Sequence, residues 1–325
     1  MTQYLVSRLL QSIIVIVGVT FFAFMTLQLA GDPTYLYVSD RASAEEIATI
    51  RQRLGFDRPL HEQYITYMTR MVQGDFGTSL VTKMPALDLV MTRLPATIEL
   101  TLFAMILGLV LAIPIGILSA TRRGTPLDGG IMLFAIFGQS MPSFWLGIML
   151  ILTVGLGLRW LPISGHVPVL QPLLSGDVGL AISNVPDALR HLILPGITIA
   201  VFSLSRNARL IRSTMLEVLS QDYVRTARAK GLRERSVVGR HAFRNSLIPV
   251  VTILGLEFGF LLSGVVVVET VFSWPGVGRL VFNSINQRDV PVVQAAVISF
   301  SFLFVLLNLL VDLVYARLDP RVRLN

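Results

Sequence analysis

Long runs of apolar residues constrain this chain more than any other feature of its sequence. The first run covers residues 9–30, and as an α-helix it would extend about 33 Å, which is enough to cross the hydrocarbon core of a bilayer. Charges, prolines and glycines bound the later runs. The sequence therefore predicts an all-α, polytopic membrane protein with six transmembrane helices, at about residues 9–30, 98–120, 131–158, 193–204, 247–272 and 292–316.

Two of these spans need a closer look. Because Arg8 precedes the first run, this run is also compatible with a cleaved signal peptide. The apolar part of a signal peptide, however, is only about 7–15 residues long, which is shorter than residues 9–30. The fourth run is short, and Arg206, Arg209 and Arg212 follow it closely. We therefore expect the fourth helix to begin before residue 193 or to continue into the cytoplasm.

The composition excludes several classes of protein. Hydrophobic residues make up 53% of the chain and charged residues 14%, which is too apolar for a soluble enzyme and too poor in charge for a disordered chain. The sequence has no cysteine, so it offers no disulfide and no thiolate metal site. Its two lysines, Lys83 and Lys230, do not follow a glycine as in a G-x-x-x-x-G-K-[ST] phosphate loop. We therefore expect no ATP site of this type in the chain.

The positive charge is unevenly divided between the two sides that the spans define. The net charge is +7, and 16 of the 27 basic residues fall in the two tails, the second loop and the fourth loop, whereas the short loops opposite hold four. The positive-inside bias then predicts that both termini are cytoplasmic. This topology explains the charge without a role in nucleic-acid binding.

The long external loop, residues 31–97, is predicted to contain two short helices. Ser43 is a suitable N-cap and Gly55 a suitable C-cap for the first. In the second, residues 63–72, larger side chains share one helical face: Tyr64, Tyr67, Met68 and Met71. This face either packs on the spans or contacts a solute, and packing is the commoner use of such a face.

The fourth loop, residues 206–246, carries ten basic and three acidic residues on the predicted cytoplasmic side. We expect helices at residues 214–230 and 234–244, with Gly231 ending the first and letting the chain turn into an elbow. The arginines either follow the positive-inside bias and contact anionic lipids, or the tip of the elbow enters a cleft in a partner protein. In the second case small residues would form the tip, with polar residues around it: Ala227, Ala229 and Gly231, with Asp222, Arg225, Arg228 and Lys230.

Two segments of this elbow form a pattern, "DYVRTARAKGL" at residues 222–232 and "HAFRNSLIP" at 241–249. Together they resemble the EAA loop of ABC importer permeases, and more closely that of the dipeptide and oligopeptide branch. Further matches follow in order along nearly the whole chain, among them "RLGFDRPLHEQY", "GDFGTSL", "SMPSFWLGIMLIL" and "VVVVETVFSWPGVGRLV". Arg225 stands where the general pattern has glutamate, so the resemblance gives it no acidic role.

The resemblance implies the type I permease fold of ABC importers and a transport subunit without a catalytic residue, metal or cofactor of its own. It implies three kinds of partner protein besides the lipid bilayer: a second, homologous permease subunit, two ATP-binding subunits that hold ATP and Mg²⁺, and an external solute-binding protein. The first helix of the elbow would be the coupling helix, seated in a groove of an ATP-binding subunit. The residues carried over to this contact are Asp222, Tyr223, Arg225, Ala227, Arg228, Ala229, Lys230, Gly231 and Leu232.

Ionisable and small polar residues within the spans are candidates for the transport path. Glu99 and Asp312 lie near span ends, where we expect them to anchor the helices, whereas Glu257 lies deeper and either bonds across helices or faces a cavity. Glu269 precedes the segment 273–278, whose proline and glycines break the helix as part of an outer gate or as a structural helix end. The candidate path or gate residues are Gln139, Ser140, Pro142, Ser143, Glu257, Glu269, Trp274 and Pro275.

These inferences divide the chain into four parts: residues 1–30 (tail and first span), 31–97 (external loop), 98–316 (five-span core with the coupling loop 206–246) and 317–325 (cytoplasmic tail). The resemblance predicts the permease subunit of an ATP-driven importer of di- and oligopeptides in a bacterial inner membrane. The same fold could instead import nickel chelates, glutathione or modified peptides. An ion-coupled secondary transporter would call for an inverted repeat and an acid–base relay, neither of which we find in the sequence. If the chain were instead a membrane scaffold without a transport role, solute uptake would survive its deletion.

Overall fold

The computed structural model of the chain describes residues 2–29, 33–38 and 42–318, and regular structure in these ranges is helical. Thr78 and Pro85 form an isolated bridge. The prediction of an all-α fold is therefore confirmed. The helices are α1 (Thr2–Leu29), α2 (Ala44–Leu54), α3 (Leu60–Val72), α4 (Ala86–Thr121), α5 (Pro126–Ser140), α6 (Ser143–Leu150), α7 (Leu170–Leu174), α8 (Val178–Leu219), α9 (Asp222–Ala229), α10 (Glu234–Ser236), α11 (Arg244–Val271), α12 (Val277–Asn286) and α13 (Val290–Leu318), with a 3₁₀ turn at Pro33–Leu36 and π-helical turns at Ile151–Gly157 and Val237–Phe243.

The chain divides into two compact units, the first formed by Met1–Leu94 with Arg279–Asn325 and the second by Pro95–Gly278. In the first unit α1 packs against α13, and α3 lies against α1. In the second unit α8, with 42 residues, packs against α5, α6 and α11. Helix α8 is therefore the element around which the second unit is assembled.

The two short helices of the predicted external loop are present as α2 and α3. Ser43 and Glu46 form a reciprocal capping box at the start of α2, with N···O distances of 2.9 and 3.3 Å, and Gly55 ends the helix with a φ of +75°. These caps satisfy backbone groups with residues only a few positions away. The sequence could therefore predict both ends of α2.

The aromatic face of α3 packs on the first helix. The Tyr64 hydroxyl lies 3.0 Å from the Thr20 hydroxyl and 3.1 Å from the Val17 carbonyl. The Phe24 ring contacts the rings of Tyr64 and Tyr67, with centroid separations of 5.5 and 6.0 Å. Of the two uses predicted for this face, packing on a span is therefore the one that the structure shows for the two tyrosines.

Close helix contacts in the second unit depend on glycine. A Cβ placed on Gly116 of α4 would lie 2.8 Å from the Ile211 side chain and 2.9 Å from the Ala208 carbonyl of α8. Real side chains do not approach so closely, so the two helices could not keep this distance with a larger residue. Ile211 is fully buried at this crossing.

Among the described residues, three helices are long and apolar enough to cross a membrane: α4, α8 and the part of α13 up to Leu309. The helical segments Pro126–Ser140 and Ser143–Gly157 qualify together as a fourth, although they are bent by 102° at their junction. The third span predicted at 131–158 is therefore present as two helical segments with a sharp bend between them. Pro142 cannot donate a backbone hydrogen bond, and Met141 is extended, so α5 ends at Ser140. For the first and fifth predicted spans the side chains are described only in part, and the total of six stays a prediction.

The fourth predicted span is extended in both directions. Helix α8 begins 15 residues before residue 193, at Val178, and continues to Leu219. Arg206, Arg209 and Arg212 therefore lie on α8 and not in a loop. The helix predicted at 214–230 is wrong in its first part, because residues up to Leu219 belong to α8 and a separate helix, α9, begins at Asp222.

Candidate coupling surface and transport path

Helix α9 is amphipathic, and its apolar side faces its own chain. Val224 is fully buried, Ala227 nearly so, and both belong to a small cluster with Val237. Val218 and Leu219, at the end of α8, pack against the same cluster. This packing fixes α9 between the end of α8 and the helical segment that leads into α11.

The prediction that Ala227 forms part of the tip offered to a partner is wrong. Its side chain is 6% exposed and packs with the inward cluster, whereas Ala229 and Gly231 are exposed. Val224 and Ala227 are three residues apart and so share one face of a helix. In the sequence, this spacing distinguishes Ala227, which faces inward, from Ala229, which faces outward.

The outward side of α9 is polar and mostly basic. Arg225 pairs with Asp222 at 3.4 Å, and both side chains are largely exposed. Arg228 donates two hydrogen bonds to the Glu234 carboxylate, at 2.8 and 3.2 Å. These hydrogen bonds raise the pKa of Arg228 and lower the pKa of Glu234 from their ordinary values. Lys230 and Leu232, directly after α9, are also exposed.

Gly231 ends α9 and turns the chain. Its φ is +73°, in the left-handed region that favours glycine. Its N–H donates to the Arg228 carbonyl at 2.9 Å, and the Leu232 N–H donates to the Ala227 carbonyl at 3.4 Å. A Cβ at Gly231 would meet no atom within 4 Å. The need for glycine here is therefore conformational, as the sequence predicts.

Tyr223 connects α9 to the first turn of α11. The Asn245 amide donates to the Tyr223 hydroxyl at 2.8 Å and to the His241 carbonyl at 3.2 Å. Asn245 is the second residue of α11. A displacement of α9 would therefore reach α11 directly through this hydrogen bond, and indirectly through the packing of α9 on the segment 237–243 that precedes α11.

A buried carboxylate that the sequence analysis missed, Asp128 of α5, joins this helix to α4 and α8. Arg212 of α8 donates to both oxygens of Asp128 at 2.8 Å, and Ser119 at the end of α4 donates to it at 2.5 Å. The Gly124 N–H adds a further hydrogen bond at 3.0 Å. The sequence analysis placed Arg212 in the fourth loop. Nothing near it in the sequence indicates its partner, which lies 84 positions away. No local pattern pairs the two residues.

The predicted path residues around Pro142 lie at the bend between α5 and α6. Gln139 is partly buried, and its side-chain carbonyl accepts a hydrogen bond from Arg209 of α8. Ser140 and Pro142 are exposed, and the partly buried Ser143 begins α6. The structure therefore brings these residues together at a helix junction and not along one continuous span.

Glu257 makes an interhelical hydrogen bond. Its side chain is 1% exposed, and one of its oxygens accepts from the Asn207 amide of α8 at 2.8 Å. The other Glu257 oxygen, the Asn207 carbonyl oxygen and the Ser205 hydroxyl have no hydrogen-bond partner within the described structure. Unpaired buried polar atoms cost about 1–3 kcal/mol each. Within the described structure, a rearrangement of α8 and α11 that admits water to the Asn207 and Glu257 oxygens would therefore remove part of this cost.

Glu269 and Trp274 fasten the segment after α11 to α4. Thr97 donates to Glu269 at 2.7 Å and accepts from the Val277 N–H at 2.8 Å. The Trp274 indole donates to the Ala96 carbonyl at 2.9 Å. Glu269 and Trp274 are 0% and 1% exposed, so neither lines an open path in this conformation. Pro275, between them and α12, is partly buried.

Glu99 anchors the loop before α7, in agreement with the role expected for it. One carboxylate oxygen lies 2.7 Å from the His166 imidazole, and the other accepts from the Val169 N–H at 2.9 Å. The Leu170 N–H donates to the same oxygen. Asp312, the other expected anchor, has a side chain outside the described part of the chain.

Two family profiles match consecutive parts of the sequence. The N-terminal profile of binding-protein-dependent transport system membrane components matches residues 1–101, and the profile of the binding-protein-dependent transport system inner membrane component matches residues 112–324. The chain therefore belongs to the family of binding-protein-dependent transport system inner membrane components. It is an integral membrane component of a transport system.

Relatives of known name match the chain over its full length. It is 40% identical to the dipeptide transport system permease protein DppB of Alkalihalophilus pseudofirmus, over 99% of this chain and 100% of that protein. It is 43% identical to the glutathione transport system permease protein GsiC of Salmonella choleraesuis and 40% identical to the oligopeptide transport system permease protein AppB of Bacillus subtilis, over 99% of each chain.

A solved structure shares the fold. A chain in the crystal structure of an amino acid ABC transporter with histidines superposes with a TM-score of 0.50, over 71% of this chain and 94% of that chain. The sequences are 16% identical, so the match speaks for the fold alone. The ABC-transporter permease fold predicted from the sequence is thus confirmed.

Proposed function

We propose that the chain is the permease subunit of an ATP-driven importer of di- and oligopeptides in a bacterial inner membrane, with both termini in the cytoplasm. The observation that carries the proposal is the full-length match, at 40–43% identity, to permeases named for dipeptides, oligopeptides and glutathione. All three solute names denote short peptides. The positive-inside distribution of arginine supports the orientation.

The proposed assembly contains a second, homologous permease, two ATP-binding subunits that hold ATP and Mg²⁺, and an external solute-binding protein. ATP hydrolysis takes place in the ATP-binding subunits. The exposed basic side of α9, with Ala229 at its end, seats in one of them. Its inward side packs on the end of α8, and Tyr223 bonds to Asn245 of α11.

This arrangement couples ATP hydrolysis to the spans. When the ATP-binding subunits close, they move α9, and α9 moves the ends of α8 and α11 together. Between these two helices lie Asn207 and Glu257, each with a buried oxygen that has no hydrogen-bond partner among the described residues. Their exposure to water in a second arrangement of the helices would offset part of the cost of the change.

A second candidate solute is glutathione, because relatives named for its transport are 43% identical to the chain. Substrate choice in such systems would rest mainly with the external binding protein. The permease sequence alone therefore favours short peptides as a class over any single member.

The experiment is ATP-dependent uptake by the purified assembly in proteoliposomes. The chain is purified with the subunits that accompany it, and uptake of a labelled dipeptide is measured with unlabelled tripeptide and glutathione as competitors. We expect uptake that requires both ATP and the binding protein. Ion-driven uptake by this chain alone, without ATP, would overturn the proposal in favour of a secondary transporter.

A further inference from the structure

A cavity of about 250 Å³ lies within the first unit, away from the residues assigned to coupling or to the path. The end of α2, helix α3 and the turn that contains Gly77 form most of its wall. Phe24 of α1 and Gln294 of α13 close it on one side. The Gln294 amide donates to the Ala23 carbonyl at 3.3 Å, which ties the two helices together at this point.

Three arginines line the cavity: Arg53 at the end of α2, Arg58 in the following loop and Arg70 on α3. All three are exposed, and no side-chain hydrogen bond or ion pair joins them to another of the described residues. One acidic residue, Asp75, lies in the wall, where it accepts from the Gly77 N–H at 2.9 Å. Counted over the described residues, the wall of the cavity therefore carries three arginines and one acid, and the guanidinium groups have donors without a partner there.

Neutral donors accompany these arginines. The Tyr67 hydroxyl is buried and has no hydrogen-bond partner among the described residues, although its ring packs on Phe24. Burial raises the pKa of Tyr67, so its hydroxyl keeps its proton. Tyr37 also lines the cavity, and burial raises its pKa; the nearby Asp289 acts in the same direction and Arg70 in the opposite one. Guanidinium groups beside a buried phenol without a partner suit an oxyanion.

The position of the cavity relates it to the membrane surface. Phe24 lies five residues before the end of α1, which is predicted to span the membrane, and Gln294 lies four residues after the start of α13, so the cavity lies at the ends of these two helices. Further down α1, apolar side chains are exposed along the helix, among them Ile14 and Phe22. The ends of predicted membrane spans lie at the level of lipid headgroups and their phosphates, and the exposed apolar side chains below are suited to acyl chains.

We propose that this cavity is an oxyanion-binding site that takes the phosphate of an anionic phospholipid headgroup through Arg53, Arg58, Arg70 and the Tyr67 hydroxyl. The carboxylate of a soluble peptide has the same recognition chemistry and is the other source of such a group. The lipid is favoured because its phosphate is delivered at this depth. The site is independent of the solute that the chain transports.

The test is lipid binding to the delipidated, full-length protein in its assembly, followed by native mass spectrometry. Phosphatidylglycerol, phosphatidylethanolamine, inorganic phosphate and the dipeptide Ala-Ala are added separately. We expect phosphatidylglycerol to bind about tenfold more tightly than phosphatidylethanolamine, whose ammonium group would meet three guanidinium groups. Displacement of phosphatidylglycerol by Ala-Ala or phosphate would overturn the lipid assignment in favour of a soluble anion, and failure to displace it would assign the site to lipid.

Variants distinguish binding in the cavity from a general effect of positive charge on the protein surface. We expect the combined change Arg53→Gln, Arg58→Gln and Arg70→Gln to weaken phosphatidylglycerol binding by about tenfold or more, and Tyr67→Phe to weaken it severalfold. Arg93→Gln removes an exposed external arginine that does not line the cavity, and it should leave binding unchanged.

Two further results would overturn the proposal. One is equal binding of the two lipids by the wild type together with no binding of either soluble anion. The other is wild-type binding of phosphatidylglycerol by Tyr67→Phe, a variant that keeps the ring and its packing and so remains informative if the arginine variant does not fold.

Discussion

Two breaks between helices of the second unit are built in opposite ways. The elbow around α9 exposes charged side chains, and its ion pairs, such as Arg228 with Glu234, lie at the surface. The end of α11 and the segment after it instead bury Glu269 and Trp274, whose polar groups bond to α4. The elbow is therefore shaped for a contact outside the chain, whereas the second segment makes its contacts within it.

This difference predicts two kinds of mutational effect. Substitutions in the segment after α11 should destabilise the protein, because they disturb buried contacts. Substitutions on the outward side of α9 should leave the free energy of unfolding nearly unchanged and reduce transport. Destabilisation by variants on the outward side of α9, together with normal stability of variants in the segment after α11, would contradict this distinction.

The largest effect is expected for Gly278→Ala. A Cβ at this position would lie 2.6 Å from the Val266 Cα, so the backbone would have to move. We expect a loss of about 3 kcal/mol in the free energy of unfolding. Thermal unfolding of the solubilised protein measures it, with Gly264→Ala as the control, since a Cβ there meets no atom within 4 Å. Equal stability of the two variants would contradict the packing described here.

Trp274→Phe should be the next most harmful change. It removes the buried indole N–H, leaves the Ala96 carbonyl without this donor and opens a void, for a cost of about 2 kcal/mol. Trp160→Phe is the matched control, because Trp160 is 71% exposed. The same unfolding assay applies, and a shift as small as that of the control would place Trp274 outside the core.

Ala229→Trp tests the elbow. Because Ala229 is exposed, we expect wild-type thermal stability but about tenfold lower ATP-dependent uptake, equivalent to about 1.4 kcal/mol. Arg123→Trp places the same bulk on an exposed turn outside the elbow and should retain uptake. Full uptake by Ala229→Trp would argue against docking through this face.

The smallest effect concerns the Arg228–Glu234 ion pair. The pKa of Glu234 is lowered, so the pair stabilises the elbow above the ordinary carboxylate pKa of 4.5, and this contribution is lost as the pH falls through the lowered value. Both side chains are largely exposed, so the contribution is about 0.5 kcal/mol or less. Hydrogen exchange of residues 222–234, corrected for intrinsic rates, should be faster in Glu234→Gln than in wild type at neutral pH and similar in acid. Glu217→Gln removes an exposed acid nearby that forms no ion pair with the described residues, and it should show no such difference.

Features that depend on near neighbours could be predicted from the sequence. The caps Ser43 and Gly55 and the left-handed turn at Gly231 each involve groups within a few positions of one another. The break after α11 follows in the same way from its proline and glycines. The position of the elbow in the chain therefore follows from its local residue pattern.

Features that depend on distant residues could not be predicted. Asp128 and Arg212 are 84 positions apart, and Trp274 bonds to a carbonyl 178 positions away. Pro142 indicates a kink, but the size of the bend could not be predicted, because apolar residues continue on both sides of it and hydropathy does not distinguish one kinked span from two helices at 102°. These pairings belong to the packing of helices and leave no local pattern.

The most direct test of the coupling claim uses the absence of cysteine from the sequence. Single variants Ala229→Cys and Ala227→Cys differ by two positions but face opposite sides of α9, one exposed and one 6% exposed. A short bifunctional thiol-to-amine crosslinker is applied to native membranes, and the products are identified by mass spectrometry. We predict that Ala229→Cys crosslinks to an ATP-binding subunit and that Ala227→Cys does not. Equal crosslinking of both variants would contradict the assignment of α9 as the coupling helix. The absence of a crosslinked product from both variants would contradict it as well.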